Sequence, residues 1–356
     1  MVKTSVSKSE KTEPFVSLYR KYRPADFSEV VGQEQVVRVL EESIKQGKLA
    51  HAYLFCGSRG TGKTSIARIF AHAIGTTAND LYEIDAASNT SVEDIRQLNE
   101  AVNTIPFESA YKVYILDEVH MLSKSAFNAF LKTLEEPPKH VIFILATTEM
   151  EKLPDTIVSR CQTFVFKKPT AEMLKGVVID VAKKEDVKLE GAAVELVALL
   201  GDGSFRDTLS ILQKVLIASE GEITLNDVEK VTGAPKSTLV LTFVESLVKK
   251  DTSSALTALG TASSEHVDMK VFNKLTLARL RYLLLRLAAP SIAKEESVAG
   301  IFTANELTCL DAIVVDQGYL VKTLYAFLDA SQQIGKSHIA TLPLELAVVK
   351  LSSGVA

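Results

Sequence analysis

Residues 57–64 read Gly57-Ser58-Arg59-Gly60-Thr61-Gly62-Lys63-Thr64, which fits the phosphate-binding pattern G-x-x-x-x-G-K-[ST]. The glycines let the backbone turn tightly and point its N–H groups inward, where a Cβ would obstruct them. In such a loop Lys63 reaches the β- and γ-phosphates, and the Thr64 hydroxyl binds Mg²⁺. The stretch therefore predicts a site for a nucleoside triphosphate.

The residues on either side of this loop supply the context that the pattern requires. Residues 52–56 predict a short buried strand, and residues 65–71 predict a helix that begins at Ser65. The N-terminus of that helix would add a partial positive charge beneath the phosphates. A glycine-rich turn that matches by chance is the alternative, and the flanking elements argue against it.

Polar residues follow two further apolar strands. Residues 112–116 end in the adjacent carboxylates Asp117 and Glu118. On a strand after a phosphate-binding loop, Asp117 would hold Mg²⁺ through water and Glu118 would polarise the attacking water. Two acids at the start of an ordinary loop are the alternative. His120 comes next, and a lone histidine there is more often packed or solvated than catalytic.

Residues 140–146 predict another buried strand, and Thr148 follows it. Its hydroxyl would bond either the attacking water or the γ-phosphate, or it would simply cap a turn; the spacing does not separate these interpretations. Strands that alternate with helices predict a parallel, doubly wound α/β sheet with its chemistry at the strand C-termini. Beyond Pro169 the strand pattern stops and helical patterns follow.

Two other positions are ambiguous from the residues alone. Residues 18–24 mix aromatic and cationic side chains, and they predict either a solvated basic turn or a lid in which Tyr22 and Val31 pack near an adenine. Arg160, at a predicted helix end, is by itself a surface charge.

Composition limits the classes of function. The formal net charge is -4, so no global basic field favours nucleic acid, and contact with DNA or RNA would be local or shared with partner chains. No apolar run approaches the roughly 20 residues of a membrane span. Residues 1–16 predict a disordered tail and not a signal peptide. The three cysteines form no C-x-x-C pair, which favours a reducing cytoplasm and indicates no zinc site.

These features together resemble a known family, the bacterial clamp-loader ATPases formed by the gamma/tau subunits of DNA polymerase III within the AAA+ superfamily. The resemblance runs from Leu18 nearly to the end. Its most specific pieces are residues 19–24 (YRKYRP), 51–55 (HAYLF), 83–88 (EIDAAS), 116–122 (LDEVHML), 131–138 (LKTLEEPP), 146–148 (ATT), 159–161 (SRC) and 343–347 (PLELA).

The resemblance implies further roles. Arg160 would be an arginine finger that reaches the γ-phosphate bound on a neighbouring subunit. Thr148 would be the first sensor of the γ-phosphate, and Arg206 the second. Residues 17–169 would form the ATPase core, 170–234 a small helical lid, and 235–356 an all-α collar through which subunits form a pentamer.

The implied function is that of an ATP-hydrolysing motor, with Mg²⁺ as cofactor, that opens a sliding clamp and loads it onto primed DNA for replication. Its implied partners are the other subunits of a heteropentamer, the clamp, and primed DNA contacted through its backbone. Most members carry a four-cysteine zinc module, which residues 74–80 replace here with a direct connection. The chain also lacks the C-terminal extension of the long form, which suggests the short form or a truncation.

Two other functions compete with this one. A non-catalytic structural subunit of the same ring usually has a damaged phosphate-binding loop, whereas residues 57–64, Asp117 and Glu118 are intact here. Another AAA+ activity, such as a branch-migration ATPase, predicts a DNA-binding winged helix after the lid. The helical pattern of residues 235–356 argues against that module.

Overall fold

A single parallel sheet lies in the first half of the chain. The computed structural model describes residues 16–88, 91–219, 221–300 and 302–353, so nearly all of the predicted tail (1–16) lies outside the described residues. The strand order is β2-β3-β4-β1-β5, and every neighbouring pair is parallel. The strands are β1 Ala52–Cys56, β2 Leu81–Asp85, β3 Lys112–Asp117, β4 Val141–Thr147 and β5 Gln162–Val165.

Helices cover the sheet and form most of the regular structure in the rest of the described chain. Three short 3₁₀ turns, Phe27–Glu29, Val119–Met121 and Met150–Lys152, accompany them. In chain order the α-helices are α1 Leu18–Lys21, α2 Glu34–Lys45, α3 Lys63–Ala73, α4 Val92–Ala101, α5 Lys124–Glu135, α6 Asp155–Val158, α7 Ala171–Lys184, α8 Gly191–Leu200, α9 Phe205–Ala218, α10 Leu225–Thr232, α11 Ser237–Val248, α12 Thr252–Ser264, α13 Met269–Ala288, α14 Pro290–Ala293, α15 Glu296–Ala299, α16 Ala304–Ala312, α17 Gln317–Gln333 and α18 Leu342–Ser353.

The sheet is covered on both faces because successive side chains of a strand point to opposite sides. Ala52, Leu54 and Cys56 of β1 pack into one apolar cluster with α4 and α5. Tyr53 and Phe55 of the same strand pack into a second cluster with α2 and α3. Burial on both faces is typical of parallel sheets. The predicted parallel, doubly wound α/β fold is therefore confirmed.

Strand β5 is not among the strands predicted from the sequence. It is four residues long, and only Phe164 within it is buried. An edge strand that short gives little periodicity to detect. Its pairing with β1 places the phosphate-binding loop away from the sheet edge, since β1 then lies between β4 and β5.

Hydroxyl side chains cap the N-termini of several helices. Ser91 and Asp94 form the full capping box of α4, in which each side chain bonds the backbone N–H of the other residue. At α9, the Ser204 hydroxyl accepts the N–H of Asp207 at 3.1 Å. That bond is one half of a capping box.

Helices α7–α10 share an apolar cluster that also takes in α1. Leu18 is buried in this cluster, and its N–H donates to Oε1 of Gln213 in α9 at 3.1 Å. The predicted core (17–169) includes α1, yet α1 packs on α9 and not on the sheet. Helices α11–α18 enclose a separate cluster centred on Phe243, Phe272 and Phe327. The division into core, lid and collar remains a prediction.

A buried ion pair lies inside this last group of helices. Arg279 of α13 pairs with Glu306 of α16, and both are largely buried. Ser237 at the start of α11 donates to the same Glu306 carboxylate oxygen at 2.6 Å. The Glu306 carboxylate thus connects α16 to α11 and α13. No helix among the described residues is both long and apolar enough to span a membrane.

Asp80, in the connection between α3 and β2, is a fully buried carboxylate. It accepts the backbone N–H groups of Phe107 at 2.6 Å, Glu108 at 3.0 Å and Ser109 at 2.8 Å. Burial raises the pKa of Asp80, but hydrogen bonds from these residues outweigh burial and lower the pKa to about 2. The Asp80 carboxylate therefore holds the connection between α3 and β2 against the connection between α4 and β3.

We expect Asp80→Asn to destabilise the protein at neutral pH and to matter less in acid. The unfolded carboxyl, with its ordinary pKa of 3.8, takes up a proton more readily than the folded one. The stabilisation is therefore complete above pH 3.8 and is lost as the pH falls toward 2. Urea unfolding of both proteins at several pH values measures this, with Glu100→Gln, an exposed carboxylate, as control. A difference that stays constant between pH 7 and pH 2 contradicts the prediction.

Candidate active site

The phosphate-binding loop joins β1 to α3, as the sequence predicts. Gly62 has φ of +100° and precedes the first residue of α3, a conformation that L side chains rarely adopt. Gly60 has φ of +74°, and a Cβ there would lie 2.0 Å from Oγ of Ser204. The Gly60 carbonyl also accepts the N–H of Phe205 at 3.0 Å. Glycine at position 60 therefore lets the start of α9 contact the loop directly.

Lys63 is buried under the loop. Its Nζ donates to the carbonyls of Gly57 at 2.7 Å and Ser58 at 3.0 Å. Burial lowers the pKa of Lys63, and the nearby Glu118 and Asp117 carboxylates oppose that shift. The Lys63 ammonium group is thus held inside the loop near two carboxylates. It could exchange its bonds to the loop carbonyls for bonds to a bound anion.

The two carboxylates at the end of β3 have different surroundings. Oδ2 of Asp117 accepts the Thr64 hydroxyl at 2.8 Å, which joins the phosphate-binding loop to β3. Mg²⁺ prefers oxygen ligands of this kind, so Thr64 and Asp117 fit the predicted magnesium site. Glu118 adopts φ of +49°, which is uncommon for a residue other than glycine and turns the chain sharply after the strand.

Thr148, at the end of β4, contacts Glu118 directly. Its Oγ1 donates to Oε2 of Glu118 at 2.9 Å, and its N–H donates to the same oxygen at 3.3 Å. His120 also lies against this carboxylate, with Nδ1 at 3.4 Å from Oε2. The structure thus joins the ends of β3 and β4, which the parallel pairing of those strands places side by side.

These groups face a cavity of about 720 Å³, within the range of small-molecule sites. The loop glycines, the Lys63 ammonium and the Thr64–Asp117 pair suit the triphosphate of ATP and its Mg²⁺. The predicted site residues that line the cavity are Tyr22, Val31, Arg59, Gly60, Thr61, Gly62, Lys63, Thr64, Ser65, Asp117, Glu118 and Arg206. Among the described residues, the lining of the cavity does not include four other predicted site residues: Gly57, Ser58, Thr148 and Arg160.

Tyr22 and Val31 lie in the wall of the cavity formed by the chain before the sheet. The Tyr22 hydroxyl donates to Oε1 of Glu185 at 2.5 Å, and Nζ of Lys184 lies 5.5 Å from the centre of the Tyr22 ring. Burial raises the pKa of Tyr22, and the Glu185 carboxylate adds to this. Residues after the sheet therefore complete this wall, and nothing in the local sequence near Tyr22 indicates Glu185.

Arg206 enters the cavity from α9. Its guanidinium lies 5.0 Å from the centre of the Tyr19 ring, a cation–π contact with α1. Asp180 and Lys184 of α7 also line this side. They carry no motif, so the sequence alone gave no reason to choose them.

Arg160 stands apart from the other predicted residues. Its Nη1 donates to the Thr156 carbonyl at 2.7 Å, and its Nη2 pairs with Glu135 of α5. About a third of its side chain is exposed. Within its own chain Arg160 thus contacts α5 and α6 and not the cavity.

Gln33 is a buried residue of the site region that the sequence did not single out. Its Oε1 accepts the Lys167 N–H at 3.1 Å, and its Nε2 donates to the Lys167 carbonyl at 2.8 Å. The same Nε2 lies 3.4 Å from the Thr61 carbonyl of the phosphate-binding loop. One side chain thus connects that loop to the segment that leaves the sheet after β5.

The structure also bears on the cysteines and on metal binding. Cys56, Cys161 and Cys309 are all unpaired. No cluster of three or more His, Cys, Asp or Glu side chains suited to a metal ion occurs among the described residues.

Sequence comparisons connect this site to known proteins. A family model described as "DNA polymerase III, delta subunit" matches residues 32–82 and 76–170. The DNA polymerase III subunit tau of Bacillus subtilis (strain 168) is 40% identical over 299 residues, which cover 78% of this chain and 53% of that protein. The tau subunit of Escherichia coli (strain K12) is 38% identical over 76% of this chain and 45% of its own length. The chain thus spans about half the length of these relatives.

A shorter relative is matched over most of both chains. The DNA polymerase III subunit gamma of Buchnera aphidicola subsp. Baizongia pistaciae is 36% identical over 274 residues, covering 71% of this chain and 74% of that protein. Among solved structures, the RuvB Holliday junction branch migration motor of Thermotoga maritima has a TM-score of 0.50 and 22% identity, covering 68% of this chain and 84% of RuvB. That likeness concerns the fold alone. On the strength of its sequence relatives, the chain belongs to the DNA polymerase III gamma/tau subunit family.

Proposed function

We propose that this chain is the ATP-hydrolysing motor subunit of a bacterial clamp loader, which opens a sliding clamp and loads it onto primed DNA. The observation that carries this proposal is the convergence of Lys63, Thr64, Asp117 and Glu118 on one cavity. Family membership supports the assignment to DNA replication. The intact cavity argues against a purely structural subunit.

The proposed chemistry follows from the residues that line the cavity. Lys63 and the loop N–H groups bind the phosphates, while Thr64 and Asp117 hold Mg²⁺, which neutralises phosphate charge when it is bound. Glu118 polarises the attacking water. Tyr22 and Val31 form the wall beside the adenine.

Three other residues respond to the γ-phosphate in this proposal. Thr148 senses it from the end of β4, through its contact with Glu118. Arg206 senses it from residues 170–234, the proposed lid, whose helix α9 already contacts Gly60. Arg160 serves the cavity of a neighbouring subunit, and its position outside its own cavity supports that role.

We propose that assembly occurs through residues 235–356, the proposed collar, in a heteropentamer with the other clamp-loader subunits. Large apolar side chains on the outer faces of α17 and α18 support this, because Tyr325, Leu328, Leu346 and Val349 are all exposed. Primed DNA would be contacted through its backbone, consistent with the net charge of -4. The cytoplasm is the proposed compartment.

Steady-state ATP hydrolysis tests the proposal, measured for the chain alone and then with clamp, primed DNA and partner subunits. We expect weak hydrolysis alone and strong stimulation by clamp and primed DNA together. Lys63→Ala should abolish both, because it removes the ammonium group that binds the phosphates; a fluorescent ATP analogue measures the loss of binding directly.

Lys48→Ala is the matched control, since Lys48 is an exposed lysine outside the cavity. It should bind and hydrolyse ATP like the unaltered protein. Stimulation by DNA alone, with no response to clamp, would indicate a different AAA+ remodelling ATPase and overturn the proposed function.

A further inference from the structure

His120 lies between two carboxylates, one at each ring nitrogen. Nδ1 is 3.4 Å from Oε2 of Glu118, and Nε2 is 3.2 Å from Oε1 of Glu149. The imidazole is almost entirely buried, with 6% of its side chain exposed. Thr147, at the end of β4, brings its Oγ1 within 3.0 Å of Nδ1. A buried ring with a polar group at both nitrogens has a fixed orientation.

The hydrogen-bonding capacity of the ring matters here. Carboxylates only accept hydrogen bonds, and a neutral imidazole donates from one nitrogen only. Nδ1 lies within hydrogen-bond distance of Thr147 Oγ1 and also contacts Glu118, whereas Nε2 contacts Glu149. The two ring nitrogens face different carboxylates, which makes this a bridge between them and not a metal site.

Glu149, at the outer end of this bridge, makes two further contacts. Its Oε2 accepts Lys152 Nζ at 2.8 Å, and its N–H donates to Oγ1 of Thr147 at 3.0 Å. Lys152 lowers the pKa of Glu149, burial opposes this, and His120 adds to the lowering. Glu149 is therefore an ionised group that holds His120 in place.

At the inner end, three contacts converge on one oxygen of Glu118. Oε2 of Glu118 accepts the hydroxyl and the N–H of Thr148 and also faces His120. These contacts determine the rotation of the carboxylate, and Glu118 still lines the cavity. The orientation of the carboxylate that polarises water thus depends on two side chains, only one of which is a predicted sensor.

We propose that His120 is a positioning residue for ATP hydrolysis, held by Glu149 and acting by orienting the Glu118 carboxylate. The proposal rests on the proposed function, because it assigns Glu118 a part in hydrolysis. The competing explanation is a buried histidine that stabilises the fold and has no effect on the reaction.

The expected effect is on the chemical step and not on binding. His120→Ala should lower kcat by about 10²-fold, the scale that a misplaced catalytic group can cost, with the Kd for ATP unchanged. His120→Asn should keep most of kcat, because its amide nitrogen can take the place of Nδ1 beside Glu118. His120→Gln places its amide near Nε2 instead, beside Glu149, and should behave like His120→Ala.

The measurement uses the full chain with partner subunits, clamp and primed DNA, and it follows kcat, the Kd for ATP and the Tm of each variant. If His120→Ala does not fold, the Asn and Gln pair still tests the proposal. Equal kcat values for that pair would overturn it, as would a loss of kcat in proportion to Tm.

A double-mutant cycle separates this proposal from the proposed function. Because His120 acts through Glu118, His120→Ala should lower kcat no further in a Glu118→Gln background. If Glu118→Gln keeps full hydrolysis, the proposed role of Glu118 fails, and this inference fails with it. If Glu118→Gln strongly lowers kcat and His120→Ala alone does not change it, only the inference about His120 is overturned.

Discussion

Replacing Arg160 with alanine should lower ATP hydrolysis by the assembled complex by roughly 10³–10⁵-fold, the contribution of arginine fingers in other NTPases. ATP binding by the isolated chain should not change, because Arg160 contacts α5 and α6 and does not line the cavity of its own chain. Single-turnover hydrolysis in the complex and the Kd of a fluorescent ATP analogue for the free chain measure the two quantities.

For Arg160 to act on a neighbouring subunit, it must leave Glu135. That ion pair is partly exposed on both sides, and pairs of this kind contribute about 0–1 kcal/mol, so its loss is easily offset. Arg96→Ala, which removes an exposed arginine paired with Glu93, is the control and should leave hydrolysis unchanged. Equal losses of binding and hydrolysis in Arg160→Ala would contradict a role in trans.

The second large effect concerns stability. Glu306→Ala should lower the free energy of unfolding by about 3–5 kcal/mol, because it leaves the Arg279 guanidinium buried without its counter-charge. Only 3% of Arg279 is exposed, and its remaining contacts are with the Leu275 carbonyl, Ser237 and the Phe302 ring. The Arg279 charge in turn lowers the pKa of Glu306 against the effect of burial. Urea unfolding measures the change.

The double variant Arg279→Met/Glu306→Leu should recover most of that loss, because apolar side chains of similar volume need no counter-charge. The exposed pair Lys249 and Glu245 serves as the control, and Glu245→Ala should cost no more than about 1 kcal/mol. If the double variant is as unstable as Glu306→Ala, the cost does not come from an unpaired buried charge.

The sequence was most informative where a local pattern determines local structure. The glycine spacing of residues 57–64 requires a turn between a strand and a helix, and β1 and α3 follow from it with nearly the predicted bounds. Asp117 and Glu118 could be predicted for a related reason. In a parallel sheet the C-termini of all strands lie at one edge, so two acids at the end of an apolar strand reach that edge whatever the strand order.

The sequence was less informative where the site depends on contacts between distant residues. Glu185 bonds Tyr22 from 163 positions away, and no spacing rule connects them. His120 is a similar case, because its proposed role depends on Glu149, which reaches it only through the pairing of β3 with β4. Strand β5 left too short and too exposed a pattern to be recognised.

The Gln33 side chain has a mechanical consequence. It bonds both the backbone N–H and the backbone carbonyl of Lys167, and it also contacts the Thr61 carbonyl. It therefore links the phosphate-binding loop to the segment that follows the last strand of the sheet. A displacement of the loop at Thr61 would strain these hydrogen bonds, so we expect the phosphate-binding loop and the backbone at residue 167 to move together.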